Sequence, residues 1–220
     1  MRPGRETEIM VSEANGKAPP ISSGDRDLQV YVDLRSPYAF IAKDRIRGLA
    51  RAFDLNAVWR PYAIDIAGAY GADGARDARE LRKVKYLYMD ARRMAAPLGL
   101  TIKGPKKIYD PTLAHLAMLF ARSAGLLDAY LDRSYERFFL RDLDLEDRSA
   151  VLGVLEDCGG DAAEATAYMA GAAPGALAAE TRQAEEHGVF AVPSCLYAGE
   201  LYWGAERLPL LRSTVAERLG

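Results

Sequence analysis

The chain has 220 residues, half of them hydrophobic, enough to bury a sizeable core without disulfides or metal. Its 29 basic and 31 acidic residues leave a formal net charge of −2, which supplies no overall field for nucleic acid or an anionic membrane. Only Cys158 and Cys195 occur, outside any C-x-x-C spacing, so neither a dithiol redox centre nor a cysteine-rich metal site is supported and a reducing, cytoplasmic compartment is expected.

Residues 1–26 mix Gly, Pro, Ser, Glu and Lys without hydrophobic periodicity. They have little surface to bury against the entropy of ordering, so the stretch 1–27 reads as a disordered tail. It holds no apolar stretch of signal-peptide kind, and no run in the chain approaches the ~18 apolar residues a membrane span needs.

Alternation of Leu28, Val30, Val32 and Leu34 predicts a first strand, and helical spacing of Ile41, Ile46, Leu49 and Phe53 predicts a helix from Tyr38 to Phe53. Between them, Ser36 stands at the mouth of the helix with Pro37 at its first position. A helix N-terminus carries unpaired N–H groups and about half a unit of positive charge, so it can hold an anion, and a hydroxyl beside it can stabilise a thiolate. Ser-Pro is equally a common way to start a helix with no further role. Leu55 to Pro61 then reads as a second strand.

Residues 65–172 change character to helices rich in Ala, Leu, Arg and Tyr, with candidates at 78–96, 111–124, 126–138, 147–158 and 161–171 broken by Pro and Gly. On the first of these, Lys83, Tyr86, Asp90 and Arg93 share one helical face, which is either solvated surface or a place for a carboxylate. His115 falls on the apolar face of the next helix and His187 at a helix end, without the carboxylate or cysteine neighbours a metal site wants, so no metal is assigned.

Glu180 to Glu186 ends another helix, closed at His187-Gly188. Val189-Phe190-Ala191-Val192-Pro193 follows and leads into a hairpin turning at Ala198-Gly199-Glu200, and Leu208 to Leu219 closes the chain as a helix. A cis bond at Val192-Pro193 would leave the Val192 N–H and C=O free to pair with a short peptide as an added strand. Cys195 reads as a buried small apolar residue, Tyr88 and Met89 as packing, and Trp203 as core or as the wall of an aromatic pocket.

The order β-α-β, helical insert, α-β-β-α is that of a thioredoxin-like domain, formed by 28–64 and 173–220, interrupted by an all-helical insertion at 65–172. Ser36-Pro37-Tyr38 after a strand, Val189-Phe190-Ala191-Val192-Pro193, and Trp203-Gly204-Ala205-Glu206-Arg207, in this order and spacing, resemble the 2-hydroxychromene-2-carboxylate isomerases and kappa-class glutathione transferases of the DsbA-like thioredoxin superfamily. The resemblance runs from about residue 28 to the end. It implies a glutathione-dependent isomerase of aromatic-compound catabolism, or a transferase, acting as a homodimer on a small-molecule electrophile. Ser36 stands where DsbA-like oxidoreductases have a cysteine, and the resemblance makes it the stabiliser of the glutathione thiolate. Lys83, Val192, Pro193 and Glu206 are implied as further glutathione contacts, Glu206 replacing the family's Asp. Tyr38, Tyr86, Arg93 and Trp203 are the corresponding candidates for the electrophile. The family's asparagine ahead of the 78–96 helix is missing from Gly71 to Arg79, where Arg76 or Asp77 are the substitutes available. Those departures keep a second class open, a non-catalytic thioredoxin-fold binding protein.

Overall fold

The computed structural model describes Gly24 and residues 26–219, so nearly all of the expected N-terminal tail lies outside the described residues. Asp27, placed at the end of that tail, is already the first residue of β1 (Asp27–Val32). Next come α1 (Pro37–Ala52), β2 (Asn56–Pro61), and the helices α2 (Ile66–Tyr70), α3 (Ala78–Ala95), α4 (Thr112–Ser123), α5 (Leu127–Phe139), α6 (Arg148–Asp157) and α7 (Ala162–Ala170). The chain ends through α8 (Ala173–Glu186), β3 (Ser194–Tyr197), β4 (Glu200–Trp203) and α9 (Leu208–Leu219).

Capping residues set many of these boundaries. Ser36, Asp65, Asp77, Asp147 and Asp161 each accept a backbone N–H in the first turn of the helix that follows, and Asp77 with Glu80 completes a reciprocal capping box. Such a cap contributes roughly 1 kcal/mol. The five-residue α2 has too few turns to show a period, and the sequence pattern did not reveal it.

The four strands form one sheet in the order β2-β1-β3-β4. β1 is parallel to β2 and antiparallel to β3, and β3 is antiparallel to β4, with Val30 opposite both Trp59 and Cys195. The strand β3 begins only at Ser194, after a cis Val192–Pro193 peptide bond. Its hairpin turns on Ala198 and Gly199, at φ of 51° and 82°, the left-handed pair that a two-residue turn between twisted strands requires.

β1 ends between the sheet and the helical insertion, and this junction fixes the site. α1 packs on α3, α9 and β2, while α8 packs on β2 and α4. Phe40, one turn into α1, stacks on Tyr135 and on Phe139 of α5, each with ring centroids 5.4 Å apart. Aromatic pairs of this kind contribute about 0.5–1.5 kcal/mol beyond their burial, so the first turn of α1 is held firmly against the insertion. No described helix is long and apolar enough to cross a membrane.

Candidate active site

The tip of α1 leaves two donors available. Ser36 N–H donates to Asp33 O at 2.9 Å, Pro37 has no N–H, and Ala39 N–H donates to Ser36 Oγ at 3.2 Å. Phe40 N–H donates to Ser36 O at 3.1 Å, so the Tyr38 amide is the first-turn N–H left over among the described residues. Because Ser36 Oγ is the acceptor in its cap, the hydroxyl proton is unassigned, and among the described residues it has no acceptor. Both groups stand at the positive end of α1, on the wall of a cavity of about 800 Å³.

Beneath this turn lies a buried ion pair. Asp33 is 0% exposed and Arg35 8%. Arg35 Nε donates to Asp33 Oδ1 at 3.0 Å and Nη2 to Oδ2 at 2.6 Å, the fork geometry of a bidentate pair. The carboxylate also accepts the Arg35 and Ile64 amides, at 2.8 and 2.9 Å. Burial pushes the Asp33 carboxyl up, but the hydrogen bonds and charge of Arg35 prevail and hold it below the usual carboxylate range. The guanidinium continues to Tyr109 O (3.0 Å) and Ile64 O (2.9 Å), so one side chain joins the end of β1 to two loops of the cavity wall.

His115 belongs to the same buried group, contrary to the expectation that it lacks a carboxylate neighbour. Its Nε2 lies 3.8 Å from Asp33 Oδ1, too far for a hydrogen bond, and has no partner. Burial pushes the imidazole down to about 4, against the pull of Asp33, so it is neutral at pH 7. His187 instead shares a 2.6 Å hydrogen bond with the Tyr31 hydroxyl. Among the described residues no group of three His, Cys, Asp or Glu side chains is placed to hold a metal ion.

The Val192–Pro193 loop forms the opposite wall. The N–H and C=O of Val192 have no partner among the described residues, while its side chain is buried with Tyr31, Val189 and Leu196. Pro193 O accepts the Gly204 N–H at 2.9 Å, which ties this loop to the Trp203–Arg207 segment. Gly204 has φ of 90°, and a Cβ there would come 2.6 Å from Glu206 Oε2. Glycine therefore allows both the backbone turn and the approach of the carboxylate. Glu206 and Trp203 line the cavity, and Trp203, 51% exposed, meets Phe190 edge-on with centroids 5.0 Å apart.

Ser36, Tyr38, Val192, Pro193, Trp203 and Glu206 thus share one cavity. Lys83, Tyr86 and Arg93 do not line it. α3 turns its apolar seam of Val84, Leu87 and Tyr88 inward, and the charged face that the spacing picked out is the one left to water. Lys83 Nζ reaches Ala69 O at 3.5 Å, Tyr86 is exposed, and Arg93 pairs with Asp90 at 3.3 Å. Asp90 in turn accepts the Tyr38 hydroxyl at 3.2 Å, so Arg93 bears on the site only at second hand. Burial and the Asp90 carboxylate both raise the Tyr38 phenol, keeping it protonated.

Tyr88, read as packing, both packs on the core and faces the cavity, whereas Met89 is exposed. The i, i+3, i+4 pattern of Val84, Leu87 and Tyr88 was the signal that could have identified this wall. The burial of Arg35 and Asp33 is not legible in the sequence, because a charged pair two residues apart at a strand end has no period to betray it. Arg76 lines the cavity; Asp77 caps α3. Cys195 is buried beside the site, and its thiol is pushed up to about 12 by that burial.

The chain resembles known proteins over most of its length. A 2-hydroxychromene-2-carboxylate isomerase of Sphingobium xenophagum is 27% identical over 190 residues, 86% of this chain and 97% of that protein. A crystal structure of a 2-hydroxychromene-2-carboxylate isomerase superposes with a TM-score of 0.71 at 25% identity, covering 87% of this chain and 95% of the other. A probable DsbA oxidoreductase of Streptomyces coelicolor reaches the same TM-score at 19% identity over 87% of this chain and 89% of its own, a likeness of fold. The chain is a distant homologue of the isomerases and has a mixed α/β thioredoxin fold of the DsbA type with a helical insertion between its strands. Matched over residues 27–216 by the DSBA-like thioredoxin domain, it belongs to that family.

Proposed function

We propose that this chain is a glutathione-dependent isomerase of the 2-hydroxychromene-2-carboxylate isomerase type. The observation that carries the reading is the pair of unused donors at the tip of α1, the Ser36 hydroxyl proton and the Tyr38 amide, in one cavity with the unpaired backbone of Val192. These groups fit a peptide thiol. Val192 pairs with the peptide backbone of the cofactor, and Glu206 offers a carboxylate to its ammonium. Ser36 and the α1 tip hold the sulfur as a thiolate by a charge-assisted hydrogen bond and the helix dipole. Glutathione, when bound, supplies a nucleophile that adds to a conjugated carbon and leaves again, so that a double bond re-forms in the other geometry. Tyr62, Tyr88, Tyr109 and Trp203 give the electrophile aromatic walls that exclude water from the reacting atoms.

Ser36→Ala tests the role. A hydrogen bond to a charged group contributes about 1.5–3 kcal/mol, so the thiol of bound glutathione should titrate roughly one to two pH units higher in the variant. The ultraviolet absorbance of the thiolate reads this directly. Equal thiolate absorbance and equal turnover of a chromene carboxylate in the two proteins would reject Ser36 as stabiliser. The second reading, a non-catalytic thioredoxin-fold binding protein, is favoured by the position of Lys83 outside the cavity. Absence of binding at millimolar glutathione would select it.

A further inference from the structure

We infer that Arg76 and Tyr88 form a receptor for a ligand carboxylate on the insertion side of the cavity. The inference rests on the isomerase reading of the same cavity and deepens it by naming which residues select an anionic partner.

Arg76 is held by its own neighbourhood before any ligand arrives. Nε donates to Tyr70 O at 3.0 Å and Gly71 O at 3.1 Å, just past the end of α2, and Nη1 lies 3.2 Å from Asp73 Oδ1. Nη2 has no partner among the described residues, yet the side chain is largely buried and lines the cavity. Asp73 engages the guanidinium through Nη1 alone, and its second oxygen accepts the Ile108 amide. A guanidinium oriented through Nε and Nη1 with Nη2 unused is suited to a planar anion.

Tyr88 supplies a neighbouring donor. Its ring is packed on the core and lies in contact with Gly104, and its hydroxyl has no hydrogen-bond partner among the described residues. Burial raises this phenol, and among the charges acting on it Arg76 is the largest, pulling it down. The hydroxyl therefore remains protonated at neutral pH and able to donate. Tyr70, Leu87 and Ile108 line the same cavity, together with the carboxylates of Asp65 and Asp73, and the apolar surface of the first three favours a carboxylate carried on an apolar body over a free inorganic anion. Lys106, on the same cavity wall and without an ion-pair partner among the described residues, adds to the positive field.

The carboxylate has two sources, the glycyl end of glutathione or the electrophile itself. The test titrates cinnamate and its uncharged isostere cinnamamide, followed by calorimetry and by quenching of Trp203, against wild type, Arg76→Met and Tyr88→Phe. Arg76→Met should weaken cinnamate at least about tenfold, close to 1.4 kcal/mol, and leave cinnamamide within about twofold. Tyr88→Phe should weaken cinnamate by about threefold, again sparing the amide. Glutathione and its glycyl monoethyl ester are titrated in parallel. If esterification costs as much as Arg76→Met and the two losses do not add, the receptor serves the cofactor; if the ester binds like glutathione, it serves the electrophile. Binding of cinnamate that depends on Arg76, with no binding of glutathione, would uphold the receptor and reject the cofactor. The inference is overturned if wild type binds neither carboxylate, if Arg76→Met alters neither, or if it weakens cinnamamide as much as cinnamate. Should Arg76→Met not fold, Tyr88→Phe decides by the same contrast between acid and amide.

Discussion

Replacing Arg35 by Met keeps the length of the side chain and deletes the charge that offsets Asp33. The carboxylate would retain only the Arg35 and Ile64 amides, and it is wholly enclosed. Removing one partner of a buried ion pair typically costs 3–5 kcal/mol, and here the carbonyls of Tyr109 and Ile64 lose their donor as well, so the upper part of that range, about 4–5 kcal/mol at pH 7, applies. The pH dependence separates charge from packing. In the wild type Asp33 titrates below its ordinary 3.8, so its stabilisation is complete above that value and disappears as pH falls through the lower folded value. In the variant burial is no longer outweighed, the folded carboxyl titrates above 3.8, and the folded state takes up a proton first as pH falls. The gap between the two proteins should therefore narrow between pH 7 and pH 4. Urea unfolding at several pH values measures it, and an Asp33→Asn/Arg35→Met double variant should recover part of the loss. A penalty below about 1 kcal/mol at pH 7, or one that stays constant on acidification, would refute the account, since burial of an unpaired charge predicts neither.

His115→Leu addresses the same cluster from the other side: the folded imidazole sits at about 4 against 6.5, so the unfolded chain takes the proton first and the wild type should lose on the order of 3 kcal/mol as pH falls from 6.5 to 4. The Leu variant should lack that portion, and parallel stability curves over this window would count against it. Ala198→Gly should raise stability by about 1 kcal/mol by relieving a left-handed Ala at φ of 51° in the β3–β4 turn, read from the denaturation midpoint; no gain would mean that the turn already tolerates the side chain.

What the sequence made legible is local. Leu28, Val30 and Val32 alternate because they share the face of β1 turned to the main core, while Tyr31 faces the other side, and Ser36-Pro37 starts α1 because cap and fixed φ act within one turn. The helices of the insertion are bracketed by Pro and Gly at positions that break the backbone wherever they occur. Residues meeting across the chain were harder to read. Spacing shows that Lys83, Tyr86, Asp90 and Arg93 share a face but carries no information on which face turns inward; packing of Val84, Leu87 and Tyr88 decides that. The contact of Arg35 with Tyr109, 74 residues on, is a tertiary event, and a polar residue at a strand end reads as surface until its partners are known. The sequence did bring forward the segments around Ser36, Val192-Pro193 and Trp203-Glu206, whose convergence on one cavity follows from β1, β3 and β4 lying side by side.

The two cysteines have a practical corollary. Cys195 is enclosed with its thiol at about 12, and burial also raises Cys158 above its ordinary value, so at neutral pH this polypeptide presents almost no reactive sulfur of its own. An alkylating reagent added to the folded protein with a thiol cofactor would report on the cofactor with little background. The rate of labelling would show, without any substrate in hand, whether the cleft sharpens a guest thiol or shelters it.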